Sequence, residues 1–379
     1  FSNMKKIQMV DLLTQYEKVQ GEIDTAVLNV LRSSAYINGP EVKEFQKELE
    51  SYLGVKHVIP CANGTDALQI AMMALGLQPG DEVITASFTY VATAEVIALL
   101  RLTPVLVDVD PNTFQIDPEK VKKAITPKTK AIVPVHLFGQ CSDMEAIMKI
   151  AKEHNLFVVE DNAQAIGAEY IYSDGNRKKA GTIGTIGCTS FFPSKNLGCF
   201  GDGGAIFTND DDLAGKLRMI ANHGQSVQYV HDSIGVNSRL DSIQAAILRI
   251  KLRSLDNYCK ARNKAADYYD KAFSSNSKIT TPARAKNSTH VFHQYTLLLA
   301  DGVDRNALRE FLAAKGIPAM IYYPIALHMQ KAYTDPRYKE GDFPVTENLC
   351  KRVISLPMHT ELDEEQLKFI TDAVNEFVR

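Results

Sequence analysis

The sequence lacks the features that mark membrane proteins, secreted proteins and proteins that bind nucleic acid. Its 379 residues contain no apolar run of about 18 residues, the length that crosses a bilayer. Residues 1–6 lack the apolar core of a signal peptide, which favours a cytoplasmic location. Lysine and arginine number 42 against 45 aspartates and glutamates, so the net charge of −3 provides no broad positive field. We therefore expect no membrane or nucleic-acid partner, and a local site for any bound phosphate.

Spacings typical of metal and dinucleotide sites are also missing. The six cysteines are scattered, without a close pair of the zinc or redox type, so we expect reduced and mostly buried thiols. His290 and His293 are three residues apart on a predicted strand that turns them to opposite faces, and we predict no metal site. The glycine-rich segment 181–187 has GxxGxxG rather than GxGxxG spacing, which argues against dinucleotide binding.

What the sequence does contain is an alternation of short β-branched runs and helical periods, which predicts an α/β fold with a mostly parallel sheet. Seven predicted strands cover residues 57–61, 82–86, 104–109, 130–136, 156–160, 187–191 and 204–208. Predicted crossover helices cover 65–75, 90–100, 118–124 and 142–154.

The chain length favours one large domain and one smaller one. After residue 239 the pattern changes to a long helical stretch over 240–272. We place the domain boundary within this stretch, between residues 254 and 255. The large domain is 1–254 and begins with a helical arm of about 35 residues. The small C-terminal α+β domain is 255–379. Its predicted elements are strands at 291–299 and 319–323 and helices at 305–315 and 364–378.

Two residues near the carboxyl ends of predicted strands are candidates for catalysis. Asp161 follows the strand 156–160, at the edge where α/β proteins bind ligands. A carboxylate there can keep a pyridinium nitrogen protonated, although capping a helix is the alternative. Lys195 lies in a loop with Pro193 and several glycines. Apolar neighbours would depress the pKa of its amine and favour imine chemistry, whereas most lysines are simply solvated.

Phosphate and ring contacts have candidates as well. Gly64 and Thr65 stand between the first strand and its helix, where backbone N–H groups suit a dianion. A plain helix cap by Thr65 or Asn63 explains the same residues equally well. Ser190 offers a second hydroxyl, and Tyr90 could lay its ring on a planar cofactor, although such a tyrosine is more often part of a core.

Together these motifs resemble the DegT/DnrJ/EryC1/StrS family of nucleotide-sugar aminotransferases over nearly the whole chain. The resemblance is carried by Asn63-Gly64-Thr65, Thr89-Tyr90, Asp161-x-x-Gln164, Ser190-x-x-x-x-Lys195 and Gly201-Asp202-Gly203-Gly204. It implies a fold type I, aspartate-aminotransferase-like enzyme that binds pyridoxal 5'-phosphate (PLP), which passes through its amino form, pyridoxamine phosphate (PMP), during turnover. It also implies a homodimer with shared active sites.

The resemblance further implies roles for individual residues. Lys195 would form the Schiff base with PLP and act as the base, and Asp161 would pair with the pyridine nitrogen. Gln164 would lie near the ring hydroxyl and Tyr90 would stack on the ring. Other contacts fall to Gly64, Thr65 and Ser190 for the phosphate, and to Asn237 and Arg239 reaching across from the neighbouring subunit.

Within the family, the stretches 190–195, 198–210 and 223–225 are most similar to enzymes that act on 3-keto sugars. The implied acceptor is UDP-2-acetamido-2-deoxy-3-oxo-glucuronate, with glutamate as donor, in bacterial O-antigen synthesis. That branch tends to carry His-Tyr-Pro where this chain has Tyr322-Tyr323-Pro324, and a small hydroxyl residue where it has His136. Both positions are expected near the substrate. Arg239 and His328 are candidate partners for a sugar carboxylate, on charge alone.

Two alternatives remain open at this stage. One is an aminotransferase for a dTDP-linked 3-keto-6-deoxyhexose or for a 4-keto nucleotide sugar. The other is a family member that binds PLP without transamination, either a dehydratase or a regulatory paralogue. Dehydratase relatives carry histidine in place of the Schiff-base lysine, whereas Lys195 is intact here.

Overall fold

The computed structural model describes residues 3–379 as an α/β protein with a small antiparallel sheet in its C-terminal part. The strands are β1 His57–Cys61, β2 Glu82–Ala86, β3 Thr103–Val107, β4 Thr129–Val133, β5 Phe157–Asp161, β6 Glu169–Ile171, β7 Arg177–Lys179, β8 Ile186–Ser190, β9 Gly204–Thr208, β10 Gln225–Val227, β11 Val230–His231, β12 Ile279–Thr280, β13 Tyr295–Leu299 and β14 Val353–Leu356. The helices are α1 Leu12–Glu17, α2 Gln20–Ser33, α3 Pro40–Leu53, α4 Gly64–Ala74, α5 Ala92–Leu99, α6 Pro118–Ala124, α7 Met144–His154, α8 Asp211–Ala221, α9 Ser242–Leu252, α10 Leu255–Phe273, α11 Arg305–Ala314, α12 Pro344–Arg352 and α13 Glu364–Phe377.

The central sheet has seven strands in the order β1-β9-β8-β5-β4-β2-β3. Neighbours from β3 through β8 run parallel, whereas β9 is antiparallel to both β8 and β1. The predicted mostly parallel, seven-stranded α/β fold is therefore confirmed. Strand positions were readable because strands that are buried on both faces form short continuous apolar runs between turn signals.

Local capping explains where the crossover helices begin and end. Asp143 accepts the backbone N–H of Ala146 at the start of α7, and Asn155 ends that helix in the left-handed conformation. Asn63 caps α4 in the same way through the N–H of Asp66, at 2.7 Å. The helices that follow parallel strands thus start at one edge of the sheet, which is where ligands bind in open α/β sheets.

The predicted helical stretch 240–272 is two helices, α9 and α10, separated by a turn at Arg253 and Ser254. Their packing partners differ, because α9 lies against α2 and α3 whereas α10 lies against α13. The predicted N-terminal arm contains α1 and α2, and Ile23 of α2 packs on Ile247 and Ile250 of α9. The arm therefore rests mainly on the α9 side of the molecule.

The C-terminal part has its own antiparallel sheet, β12-β13-β14, and a core that includes Tyr269, Tyr295 and Ile370. The predicted strand 319–323 is wrong, because Met320 forms only a single bridge to Ser355 and the chain then turns away. Helix α12 and strand β14 were not predicted. The division into 1–254 and 255–379 stays a prediction.

Two further findings concern the chain as a whole. All six cysteines are buried and unpaired, as expected for reduced thiols. Within residues 3–379, no helix is both long and apolar enough to span a membrane.

Candidate active site

Asp161 is the last residue of β5, and its carboxylate is nearly buried at the carboxyl edge of the sheet. One oxygen, Oδ2, accepts the hydroxyl of Thr93 at 2.7 Å. The other, Oδ1, accepts the backbone N–H of Ala163 at 3.2 Å. Within residues 3–379, no lysine, arginine or histidine nitrogen lies within 4.0 Å of this carboxylate. Asp161 is thus held in place without a cationic partner among the described residues.

Lys195 lies in the loop that follows β8. Its backbone N–H donates to Phe192 at 2.8 Å, and the neighbouring Asn196 side chain donates to the carbonyl of Val291 at 2.8 Å. Burial lowers the pKa of the Lys195 ammonium to about 8, and the nearby Asp161 carboxylate partly opposes this effect. The amine therefore becomes largely neutral slightly above physiological pH. The neutral form is the one that attacks a carbonyl group.

The start of α4 meets the end of β8 at the same edge. A Cβ atom on Gly64 would lie 2.8 Å from the Cβ of Ser190, so only glycine permits this approach. The side chain of Asn63 is the helix cap. That leaves Thr65 free of the capping role, and Gly64, Thr65 and Ser190 line one cavity.

A cavity of about 900 Å³ brings most of the predicted site residues together. Those that line it are Gly64, Thr65, Tyr90, Asp161, Gln164, Ser190, Lys195, Tyr322 and Tyr323. They come from the turns after β1, β2, β5 and β8 and from the segment after α11. The cavity is therefore built at the carboxyl edge of the parallel strands and closed by the C-terminal part of the chain.

Gln164 joins the two sides of this cavity. Its Oε1 accepts the backbone N–H of Phe138 at 2.6 Å, and its Nε2 donates to the hydroxyl of Tyr323 at 3.0 Å. Burial raises the pKa of the Tyr323 phenol, which stays protonated. The ring of Tyr90 lies 6.3 Å from that of Tyr323, and Tyr90 is more than half exposed and lines the cavity. A flat ligand can thus meet an aromatic face here.

Three predicted site residues lie outside this cavity. His328 is buried with its Nε2 3.5 Å from Glu347 and its ring 4.6 Å from that of Phe343, so it is not placed to meet a sugar carboxylate. Asn237 is exposed and Arg239 half-buried, beyond the β10–β11 hairpin. Their predicted reach into the site of a second copy stays a prediction.

His136 does not lie near the substrate, contrary to expectation. Its side chain is completely buried beneath the sheet edge, with Nε2 at 2.9 Å from the Glu160 carboxylate. Its Nδ1 accepts the backbone N–H of Ser142 at 3.0 Å, which assigns the proton to Nε2. Because Glu160 and Asp161 are adjacent on a strand, their side chains point to opposite faces. His136 therefore belongs to the buried face.

The glycine-rich segment 181–187 contacts the same buried carboxylate. Backbone N–H groups of Gly181, Ile183 and Gly184 donate to Glu160 at 2.7 to 2.9 Å. A run of N–H groups that converges on one anion is the arrangement of backbone anion sites in general. Here the anion is a side chain of the protein itself.

Some polar residues in or behind the cavity wall were not predicted as site residues. Thr93 positions Asp161, and Thr89, His293 and Gln294 line the cavity. Thr89 belongs to the motif Thr89-Tyr90 and Thr93 follows three residues after Tyr90, so the turn after β2 was a usable signal. His293 and Gln294 arrive from a segment just before β13, for which the rule about parallel strand ends gives no indication.

Comparison with known proteins identifies the family. A model of the DegT/DnrJ/EryC1/StrS aminotransferase family matches residues 17–375. The chain belongs to this family. Members of the DegT/DnrJ/EryC1/StrS family depend on PLP, so the predicted aminotransferase class and cofactor are confirmed.

Two similar relatives in the DegT/DnrJ/EryC1/StrS family have names that describe different functions, one regulatory and one enzymatic. The "Pleiotropic regulatory protein" of Geobacillus stearothermophilus is 48% identical over 98% of this chain and 99% of its own. The UDP-2-acetamido-2-deoxy-3-oxo-D-glucuronate aminotransferase of Pseudomonas aeruginosa is 48% identical over 97% and 99%. Among solved structures, DesV of S. venezuelae superimposes with a TM-score of 0.94 at 39% identity and covers 99% of both chains.

The cavity fits PLP on observations of its own. The buried hydroxyl of Thr89 has no hydrogen-bond partner within residues 3–379, as expected where a polar ligand belongs. Asp161 offers an unpaired carboxylate, and the first turn of α4 offers N–H groups for a phosphate. Lys195 has the lowered pKa that a carbonyl-binding lysine needs. Within residues 3–379, no group of three acidic, histidine or cysteine side chains could hold a metal ion.

Proposed function

We propose that this protein transfers an amino group from an amino acid, glutamate, to a nucleotide-linked keto sugar. The proposed acceptor is UDP-2-acetamido-2-deoxy-3-oxo-glucuronate, and the proposed setting is bacterial O-antigen or surface polysaccharide synthesis in the cytoplasm. Support for this acceptor comes from the P. aeruginosa relative, at 48% identity over nearly the full length of both chains.

The observation that carries the proposal is that Lys195 and Asp161 line the same cavity. Lys195 is a lysine whose pKa burial has lowered to about 8, and Asp161 is a fixed carboxylate without a cationic partner within 4.0 Å in residues 3–379. A PLP enzyme needs both, because one group binds the aldehyde and the other keeps the ring nitrogen charged.

Other cavity residues are assigned to the remaining parts of the cofactor. Gly64, Thr65 and Ser190 would bind the phosphate, Gln164 would meet the ring hydroxyl and Tyr90 would cover the ring face. When bound, PLP supplies an electron sink that stabilises negative charge at the carbon bearing the amino group. The protein's task is then to position that carbon and to move its proton.

Lys195 is the group assigned to the proton transfer. With an amino-acid donor in the cavity, the Lys195 amine would accept the proton from the donor's α-carbon. With a pKa of about 8, the amine is a competent base near neutral pH and its conjugate acid can return the proton. Asp161 would keep the cofactor's ring nitrogen charged.

A homodimer with shared active sites is part of the proposal. Asn237 and Arg239 lie outside this chain's cavity, next to the β10–β11 hairpin. Around that hairpin Val227, Tyr229 and Ile234 are 63%, 82% and 87% exposed. Exposed apolar clusters of this kind mark protein–protein interfaces. A second copy covering the hairpin would receive Asn237 and Arg239 at its own site.

One observation favours a second candidate, a regulatory protein that binds PLP without transamination. The G. stearothermophilus relative is named a pleiotropic regulator and is as similar as the P. aeruginosa enzyme. Catalysis is better supported, because Lys195, Asp161 and an open cavity of about 900 Å³ are all retained.

Absorbance spectroscopy tests the proposal directly. Purified protein loaded with PLP should lose its cofactor band on addition of glutamate and regain it on addition of the UDP-3-keto sugar. Parallel samples with dTDP-linked 3-keto-6-deoxyhexose and with a 4-keto nucleotide sugar report on acceptor choice. Recovery only with a dTDP or 4-keto sugar would replace the proposed acceptor. A band that glutamate leaves unchanged would instead favour the regulatory candidate.

A further inference from the structure

We propose that His293 and Gln294 form the site that binds the α-carboxylate of the amino-acid donor, an inference that rests on the proposed function. Both residues line the cavity that holds Lys195 and Asp161. They belong to the short segment between Val291 and the start of β13. No role is assigned to them by the sequence motifs.

The imidazole of His293 lines the cavity and has one nitrogen without a hydrogen-bond partner in the described part of the chain. The residue is 5% exposed, and its Nδ1 has no hydrogen-bond partner within residues 3–379. A buried polar nitrogen left without a partner is destabilising, so native proteins rarely leave one without reason. In the wall of an active-site cavity, the missing partner is most simply a bound substrate.

The backbone of this segment is fixed on both sides. Arg262 donates through one guanidinium nitrogen to the carbonyls of Phe292 and His293, at 2.9 and 3.2 Å. The N–H of Gln294 donates to the carbonyl of Phe138 at 3.3 Å. The two side chains are therefore presented from a rigid segment, which reduces the entropy lost on binding.

Charge at this wall favours an anion. Arg262 is almost completely buried, and within residues 3–379 no carboxylate lies within 4.0 Å of it, so its positive charge is not neutralised. Burial, together with the positive charges of Lys195 and Arg262, holds the pKa of His293 well below its usual range. The imidazole is thus neutral and can donate one N–H, with the cation of Arg262 behind it.

The location of His293 and Gln294 in the cavity indicates which anion they bind. The cofactor phosphate is assigned to Gly64, Thr65 and Ser190, on the α4 side of the cavity. The α-carboxylate of the donor is bonded to the carbon whose proton Lys195 removes, so it must lie close to Lys195. A sugar carboxylate lies several bonds from its keto carbon. One N–H from His293 and one from the Gln294 amide suit the two oxygens of the donor carboxylate.

Separate measurement of the two half-reactions tests this assignment. In PLP-loaded His293→Leu, we expect the glutamate concentration for half-maximal bleaching to rise by about ten- to a hundredfold, as for loss of a hydrogen bond to a charged group. The keto-sugar concentration that restores the band should change less than about twofold. His293→Gln, which keeps an N–H donor, should recover much of the lost donor affinity.

A binding measurement without turnover complements the kinetics. Glutarate, a dicarboxylate that lacks the amino group, should bind wild-type protein in calorimetry and bind His293→Leu at least about tenfold more weakly. His359→Leu is the matched control, because His359 is equally buried but lies outside the cavity, where its Nδ1 accepts the N–H of Glu361 at 3.0 Å. It should leave glutamate bleaching and glutarate binding unchanged.

Each other outcome has a distinct meaning. Unchanged glutamate affinity in His293→Leu would overturn the assignment, as would a weakened keto-sugar step with a normal glutamate step, which would move His293 to the sugar. If His293→Leu melts early or loses PLP, His293→Gln and glutarate binding to it decide instead. Wild-type protein that glutamate does not bleach would remove the proposed function itself, and with it this inference.

Discussion

Two lysines of this chain share one property and differ in place. Burial lowers the pKa of both Lys195 and Lys251 to about 8. Lys195 lies in a loop at the carboxyl edge of the sheet, in a cavity with Asp161. Lys251 lies within α9, only 2% exposed, with its nitrogen 5.3 Å from the ring centroid of Phe200. A shifted pKa therefore marks burial, and only the surroundings distinguish a catalytic lysine from a structural one.

The largest contrast should come from removing each amine. Lys195→Ala is expected to abolish the PLP-lysine absorbance band and to lower turnover by at least about 10²–10⁴-fold, since both tether and base are lost. Lys251→Met, which removes an equally shifted amine outside the cavity, should keep the band and turnover within about threefold. Activity retained in Lys195→Ala, or lost in a folded Lys251→Met, would reverse the assignment of the two lysines.

The next effect separates the electrostatic surroundings of the two amines. Asp161→Asn should lower turnover by about 10²-fold or more, because the cofactor nitrogen loses its anionic partner. Since the Asp161 charge raises the pKa of Lys195 against the effect of burial, the same substitution should move that pKa below 8. The pH dependence of PLP uptake by the variant checks the second effect. A midpoint that does not move would show that Asp161 is too remote to act on Lys195.

A pH series on wild-type protein gives the third test. Only the neutral amine adds to an aldehyde, so the rate of PLP uptake by cofactor-free protein should rise about tenfold per pH unit below pH 8 and level off above it. Lys251→Met should follow the same curve. A curve that still rises towards pH 10 would mean that Lys195 has the pKa of an ordinary exposed lysine.

The smallest effect concerns stability at Lys251. Its pKa is about 8 in the folded chain and 10.5 in the reference state, so the unfolded chain holds the proton more tightly. The resulting destabilisation is complete below pH 8 and disappears as the pH rises through 10.5. We expect Lys251→Met to be more stable by about 1–3 kcal/mol at pH 7, and by little above pH 10.5. Urea unfolding at equal protein concentrations measures the difference, and a variant with no gain at pH 7 would contradict the prediction.

The fold and the floor of the site were predictable because they follow local rules. Buried parallel strands gave short apolar runs; Asp161 ends one of those strands, β5, and Lys195 follows another, β8. Strand ends that meet at one edge bring together residues distant in sequence. Gly64 was recognisable from the turn between β1 and α4.

Other residues were missed or misplaced because their position depends on tertiary packing. His136 was expected near the substrate. It instead contacts Glu160, whose side chain points to the opposite face of β5 from that of Asp161. His328 was predicted to contact a sugar carboxylate on the basis of charge alone, and it is buried next to Phe343. His293 reaches the cavity only because Arg262 fixes the carbonyls of its segment. None of these contacts leaves a periodic signal in the sequence.

The glycine-rich segment 181–187 has a consequence for what the protein can bind. Its N–H groups already have their anion in Glu160, which is part of the same chain. A tethered ligand acts at an effective concentration that free nucleotide or sulfate does not reach. The N–H groups of this segment are therefore already occupied by Glu160. The glycine-rich segment instead fixes the end of β5, because it binds the residue next to Asp161.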